Sequence, residues 1–427
     1  MSGMSRREFG RLAAGVGVLG LGGAAAACGG PSSAPEQTET ATPVPDARTQ
    51  PISLTQADLD QIIGNHANTL LNNLQSKTPG VNCGVAVTFA YPNHQFNPYY
   101  MYGTVGGQAP PTPRTLFAIG SITKTFTTAM FANGVVTNPG CFDWDAGLSR
   151  YLDGYLGATG NLSQTMQQIT PRMLAQHTSG LPTPSGSSQD GVGLFETNPS
   201  APPPDLLNFW QTHNGPQPGS CWRYSDMGFI TLGFTTASAY GCAAGGNPPP
   251  AQAYSALLQS QITGPLNMPD TVTIVPNGVP LAPAYPNGGP EVSSGGASDI
   301  KSSATDMHTW LLAHLGAANG SSPLMQALAS TTQTSPLSVN QCGESRPGPA
   351  NMGLAWQVAP GPPRVIWKDG LTSLGGCSCW IGMTMASPTQ EPLGIAVLLN
   401  GYWNKGQPNV IADNAGMQML KEISAAI

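Results

Sequence analysis

The chain has 427 residues and a net charge of −6, and only 9% of its side chains are charged. At that length, 40% hydrophobic residues support a sizeable buried core and exclude a disordered chain. The negative balance and the scattering of Lys and Arg, with no basic patch, exclude nucleic acid as a partner.

At the N-terminus, "SRREFG" (5–10) sets Arg6 and Arg7 before an apolar, Gly/Ala-rich stretch that ends in "AAAAC" at Cys28. A charged start, an apolar middle and small residues at a cut resemble a twin-arginine export signal. The stretch is too short to read as a membrane span. Its end also resembles the bacterial lipoprotein pattern, in which the cysteine after the cut receives a lipid; Ala25 stands where leucine is usual. These resemblances imply a signal over residues 1–28. They also imply export to the outer face of the bacterial cell membrane, with a lipid anchor at Cys28, or otherwise secretion. Residues 29–52, rich in Pro, Ser and Thr and without apolar period, read as a flexible tether.

One domain is expected over residues 53–427. Leucine and isoleucine at helical spacing behind a Ser/Thr start predict a helix in "SLTQADLDQIIGNHANTLLNNL". "CGVAVTFAY" (83–91) predicts a strand, and Thr115 to Asn133 predicts a buried helix. Residues 140 to 290 mix short helices with Pro/Gly loops such as "GGNPPPAQ" and "PNGGPEV". "RVIWKDG", "CWIGMTM" and "LGIAVLLN" then predict three strands, and "NVIADNAGMQMLKEISAAI" a closing helix. This order points to one discontinuous α/β unit wrapped around a helical insert.

Besides Cys28 there are seven cysteines: Cys83, Cys141, Cys221, Cys242, Cys342, Cys377 and Cys379. In an exported protein they predict disulfides, three of them with one thiol left over. With no CxxC pair and no His/Cys cluster, neither a metal site nor a cofactor is expected.

A serine and a lysine three positions apart occur twice, as Ser121–Lys124 and as Ser298–Lys301. Ser298 lies in "SSGGASDIKSS", which reads as a flexible Gly/Ser stretch followed by a helix start capped by Ser303 or Thr305. Ser121 opens an apolar helix, where its hydroxyl and the Lys124 amine share one face. Partial burial there disfavours an ammonium and helps a lysine act as a base.

Ser121-x-x-Lys124, then Tyr224-Ser225-Asp226, then Lys368-Asp369-Gly370 resemble the S-x-x-K, Y-x-N and K-T-G elements of penicillin-recognising serine hydrolases. The flanks "RTLFAIGSITKTFT", "ITPRMLAQHTSGLP", "YSDMGFITLG" and "MGLAWQV" resemble the branch with class C β-lactamases, D,D-carboxypeptidases, D-aminopeptidases and related esterases. The likeness runs in order from about residue 55 to the C-terminus. It implies an α/β (α+β) fold of the β-lactamase/transpeptidase type: a mostly antiparallel sheet flanked by helices, with an inserted helical region. It implies Ser121 as nucleophile, and Tyr224, held as phenolate by Lys124, as the base. The N–H groups of Ser121 and Leu371 would form the oxyanion hole, and Lys368 would attract a substrate carboxylate while Gly370 allows close approach.

Two positions depart from that pattern. Asp226 replaces an asparagine, so an amide donor becomes an acceptor that can pair with Lys124. Asp369 replaces Thr or Ser, and a carboxylate there can repel an anionic substrate head. Both shift the expected substrate from β-lactams towards esters or less acidic amides, including peptidoglycan-like material. A second alignment reads "SDM" (225–227) as the S-D-N element of class A enzymes, with Ser225 as proton shuttle. "GGCSCW" (375–380) has the wrong order and position for a papain-like cysteine site, and His177 in "HTSGLP" reads as a helix end rather than part of a triad. Two functions are therefore in view: a hydrolase working through a Ser121 acyl-enzyme, and a lipoprotein of the same fold that binds cell-envelope material without turnover.

Overall fold

The computed structural model describes residues 53–427 apart from 81, 158–159, 183–201, 246–253, 283–294, 338–339, 343–350, 360, 362, 373–375, 388–389 and 402–411. The signal-like segment, Cys28, the tether and the loops around "GGNPPPAQ" and "PNGGPEV" lie wholly or largely outside the described residues.

Helix α1 (Gln56–Lys77) begins in a capping box. Thr55 Oγ1 accepts from Asp58 N at 3.2 Å, and Asp58 Oδ2 accepts from Thr55 N at 2.9 Å, so two N–H groups the helix leaves over are satisfied. Strands β1 (Gly84–Ala90) and β2 (Tyr99–Gly103) follow, then a two-residue strand β3 (Phe117–Ala118) and helix α2 (Thr123–Thr137). The middle of the chain is helical: α3 (Ser149–Leu156), α4 (Gln164–Gln168), α5 (Pro171–Ala175), α6 (Pro204–Thr212), the two-residue β4 (Cys221–Trp222), α7 (Asp226–Ala243) and α8 (Tyr254–Leu258). Next come β5 (Lys301–Ser302), α9 (Ala304–Gly316), α10 (Pro323–Thr331) and short strands β6 (Ser335–Pro336), β7 (Asn340–Gln341), β8 (Asn351–Met352) and β9 (Gln357–Ala359). Three long strands and a helix close the chain: β10 (Val365–Leu371), β11 (Ser378–Thr384), β12 (Gly394–Leu399) and α11 (Ala412–Ala425).

Eight strands form one antiparallel sheet in the order β2-β1-β12-β11-β10-β9-β8-β6. The N-terminal strand pairs with the C-terminal one, Val87 opposite Val397, so the helical insert is bracketed by the sheet. Strands β1, β11 and β12 are buried along their whole length, which is why they read as continuous apolar runs rather than alternating ones. Alternation still decides which layer each residue meets. On one face, a methyl added at Gly394 would sit 2.7 Å from Leu311 of α9; on the other, one at Gly416 of α11 would sit 2.3 Å from the Trp380 ring of β11. The sheet is thus sandwiched, with α1 and α11 on one side and α9 with the larger helical layer on the other.

The first twelve residues of α2 are all buried, and α7 is buried over most of its length, with no amphipathic stripe on either. The stacked pair Phe126–Trp310, 4.1 Å between centroids, joins α2 to α9. The helix expected from Thr115 starts later, because Gly120 takes a left-handed φ of 52° and separates β3 from the helical turn. Two disulfides are present among the described residues, Cys141–Cys242 and Cys221–Cys342. A third is not seen among the described residues, where Cys83, Cys377 and Cys379 are buried, with Cys379 Sγ 3.4 Å from Ala118 O and Cys83 Sγ 3.7 Å from Asn400 O. No described helix is long and apolar enough to cross a membrane.

Candidate active site

Ser121 sits in a 3-10 turn, Gly120–Ile122, that runs directly into α2. The turn lies tight against the end of β10. A methyl added at Gly120 would lie 2.9 Å from Leu371 N, and one at Gly370 only 1.9 Å from Ile119 O. Glycine at both positions is what lets the serine turn and the strand edge touch. Ser121 keeps partial exposure, while Lys124, one turn further on, has none.

Burying an ammonium demands partners, and Lys124 has three. Its Nζ donates to Ser121 Oγ at 2.9 Å, to Asp226 Oδ1 at 2.6 Å and to Ala297 O at 2.8 Å, which uses all the N–H donors a lysine owns. The pairing foreseen from Asp226 therefore forms, and the carboxylate also lies at the N-terminus of α7, where the helix dipole favours negative charge. The third acceptor corrects the sequence reading of "SSGGASDIKSS". Ala297 and Ile300 are core residues, Lys301 belongs to β5, and Ser303 caps α9, so residues 295–303 are a packed wall of the site.

Tyr224 lies between β4 and α7, and its hydroxyl donates to Ser121 Oγ at 2.6 Å. Lys124 Nζ and Lys368 Nζ stand 5.1 Å and 5.4 Å from its ring centroid. Loss of solvent pushes the phenol well above its ordinary range; Lys368 pulls it down, but Asp226 and Asp369 push it back up. The resting tyrosine is thus a neutral phenol. Its phenolate is not favoured by Lys124 as the sequence implied, because Asp226 offsets that ammonium.

His177 locks the segment that carries Tyr224. It follows α5 with a left-handed φ of 59°, accepts from Ser225 N at Nδ1 (3.1 Å), and takes Arg223 N on its carbonyl (2.8 Å). The backbone on both sides of Tyr224 is therefore tied to one residue, whose ring also packs 4.5 Å from the tyrosine ring. Burial, with Lys124 and Lys368 adding to it, holds this imidazole far below its usual pKa and neutral. Ser225 is committed elsewhere. Its Oγ accepts from Gly228 N as the cap of α7 and donates to Pro182 O, both at 2.8 Å, which disfavours the proton-shuttle alignment.

From β10, Lys368 and Gly370 alternate onto the face that meets the serine turn, opposite Ile381 and Cys379 of β11. Lys368 Nζ donates to its neighbour Asp369 twice, to the carbonyl at 2.7 Å and to Oδ1 at 3.0 Å. Burial works to lower the Lys368 pKa, but the Asp369 charge and Tyr224 outweigh it and the net shift is upward. Gln357 of β9 also donates to Asp369 Oδ1, at 3.3 Å. Sequence reasoning missed Gln357 and Ala297, since each acts through a contact between distant segments and neither has a motif of its own. Among the described residues no group of three or more His, Cys, Asp and Glu is placed to hold a metal.

A serine hydroxyl bridged by a lysine and a tyrosine, at the seam of an antiparallel sheet and an all-buried helix, defines a serine hydrolase of the β-lactamase/transpeptidase-like fold. The chain belongs to the beta-lactamase family, whose model matches residues 78–414. Among solved structures it is similar to a class C beta-lactamase, with 19% identity and a TM-score of 0.63, covering 86% of this chain and 97% of that one. It is also similar to a class C beta-lactamase mutant in which one tyrosine is replaced by phenylalanine (19% identity, TM-score 0.61, 84% and 97% covered). At that identity the likeness speaks for the fold.

Proposed function

We propose that this protein is an exported serine hydrolase that cleaves an ester or amide through an acyl-enzyme on Ser121. The observation that carries the reading is the convergence of Lys124 Nζ (2.9 Å) and Tyr224 Oη (2.6 Å) on one partly exposed serine oxygen. In the first step Ser121 Oγ bonds to the carbonyl carbon and its proton passes to the Tyr224 oxygen, which must be in its phenolate form to take it. The N–H groups of Ser121 and Leu371, brought together where Gly120 meets β10, stabilise the oxyanion. Tyr224 then gives the proton to the leaving oxygen or nitrogen as the C–O or C–N bond breaks. Water attacks the acyl-enzyme ester next and Tyr224 takes its proton; Tyr224 then passes that proton to Ser121 Oγ as the acyl C–O bond breaks and the acid leaves. Arg6, Arg7 and the stretch to Cys28 support export and a lipid anchor at the outer face of the cell membrane, and the disulfides Cys141–Cys242 and Cys221–Cys342 fit an oxidising compartment.

A second reading, a cell-envelope binding lipoprotein without turnover, is favoured by Lys124 alone: its three donors are taken up by Ser121, Asp226 and Ala297. The two are separated by incubating the purified protein with a labelled fluorophosphonate, a labelled penicillin and a short-chain aryl ester, with Ser121→Ala as control. Serine-dependent labelling and ester turnover are expected. No labelling and no turnover with any of the three leaves the binding reading.

A further inference from the structure

Both lysines that flank Tyr224 carry their own counter-ion. Lys124 is paired to Asp226 at 2.6 Å, and Lys368 to Asp369 at 3.0 Å. Two cations and two anions leave the site with no net charge. The pairing at Lys368 is the more consequential for a ligand, because this lysine lies on the strand whose end abuts the serine turn. Its ammonium is 1% exposed and donates to both the carbonyl and the carboxylate of Asp369. Asp369 is held as well by Gln357 Nε2, which donates to the same oxygen at 3.3 Å, and its side chain remains 20% exposed. What an incoming acyl compound meets at this end of the site is therefore a fixed carboxylate beside a cation that it already pairs. A substrate anion would have to displace Asp369 from Lys368 and then lie beside it, with Asp226 a second negative charge across the tyrosine. A neutral group meets no such barrier.

We propose that the Ser121 site selects substrates with no negative charge beside the scissile bond, and that Asp369, pinned by Lys368 and Gln357, is the residue that imposes the choice. The proposal rests on the hydrolase reading above and narrows its substrate class to neutral esters or amides. It sets Lys368 apart from a carboxylate receptor: the ammonium serves to fix Asp369 and to bias Tyr224.

The test uses two aryl butyrates that differ only in charge, the 3-carbamoylphenyl and the 3-carboxyphenyl ester. Wild-type protein is compared with Asp369→Asn and Asp369→Thr, and Ser121 labelling by a neutral fluorophosphonate confirms that each variant is folded and reactive. In the wild type, kcat/KM should favour the neutral ester by about tenfold or more, and removing the carboxylate should shrink that ratio by about tenfold. Because the readout is a ratio between two substrates, a general loss of packing would not move it. An equal ratio in wild type and variants, or a wild type that prefers the anionic ester, overturns the proposal while leaving the hydrolase intact. No turnover together with no Ser121 labelling overturns the hydrolase reading, and this one with it.

Discussion

Gly370→Ala is the substitution whose consequence follows most directly from the coordinates. A Cβ at this position would lie 1.9 Å from Ile119 O, 3.0 Å from Ile119 C and 3.3 Å from Ile122 Cγ1. The first contact must open from 1.9 Å to at least 3.0 Å, a movement of about 1.1 Å between β10 and the serine turn. The obstacle is backbone, so no side-chain rotation relieves it. The same movement carries Leu371 N away from Ser121 and spoils the pocket proposed for the oxyanion. Misplacement by about 1 Å, or loss of one oxyanion donor, costs on the order of 10²- to 10³-fold in rate. Overpacking adds about 1–3 kcal/mol of destabilisation. Gly416→Ala is the matched control, since its added methyl meets the Trp380 ring at 2.3 Å on the far face of the sheet. It should lower Tm by a comparable amount and leave kcat alone. The assay is kcat for a short-chain aryl ester together with thermal unfolding of both variants. If Gly370→Ala keeps full kcat, or if Gly416→Ala loses as much activity, the contact between β10 and the serine turn does not organise the chemistry.

Tyr224→Phe should lower kcat/KM by at least about 10²-fold, the scale of a lost general base; undiminished activity would assign the base elsewhere. Because burial raises the Tyr224 phenol, its phenolate fraction grows throughout the neutral range, and wild-type kcat/KM should climb about tenfold per pH unit from about pH 6 to 9. A plateau below about pH 8 would refute that. Asp226→Asn and Lys124→Met should each destabilise the fold, and the double variant should recover part of the loss, because either single change leaves one charge of a largely buried pair without its counter-ion; strict additivity in a thermal double-mutant cycle would contradict it. The Cys221–Cys342 bond closes a separation of 121 residues, so replacing both cysteines by serine should cost about 4–5 kcal/mol on the chain-entropy scale, measured by denaturant unfolding. Burial, reinforced by Asp270, raises the Asp306 carboxyl from 3.8 to about 6. A raised acid contributes its full stability below the unfolded pKa and loses it as pH rises through the folded one. Asp306→Asn should therefore gain on wild type between about pH 4 and 7, by on the order of 3 kcal/mol; a difference that is flat with pH would refute the assignment.

The elements that were legible from sequence are those whose signal is local. The capping box at Thr55 and Asp58, the apolar runs of β1, β10, β11 and β12, and the unbroken hydrophobicity of α2 each identify an element from neighbouring residues alone. Ser121, Tyr224 and Lys368 were legible for a different reason: each sits in a short ordered motif, and chemistry needs those groups together even though they lie more than a hundred positions apart. What stayed hidden was carried by backbone and by crossing segments. Nothing in "GGASDIK" marks Ala297 as the residue whose carbonyl holds Lys124, and nothing in "GLAWQV" marks Gln357 as a clamp on Asp369. The disulfides show the same limit, since a cysteine's partner depends on which strands and helix ends the fold brings within reach.

The charge balance of the site turns on the burial of Lys124. An ammonium with no solvent access must have a partner, and the chain supplies Asp226 from the first residue of α7, where the helix dipole already favours a carboxylate. That choice takes the Lys124 charge away from Tyr224 and leaves Lys368 as the main cation able to draw the phenol down, with Asp369 opposing it from the next position on β10. Each aspartate thus stabilises a buried lysine and weakens its field at the tyrosine. That opposition sets the field at Tyr224, so the two aspartates should be read together with the serine, lysine and tyrosine rather than as substitutions beside them.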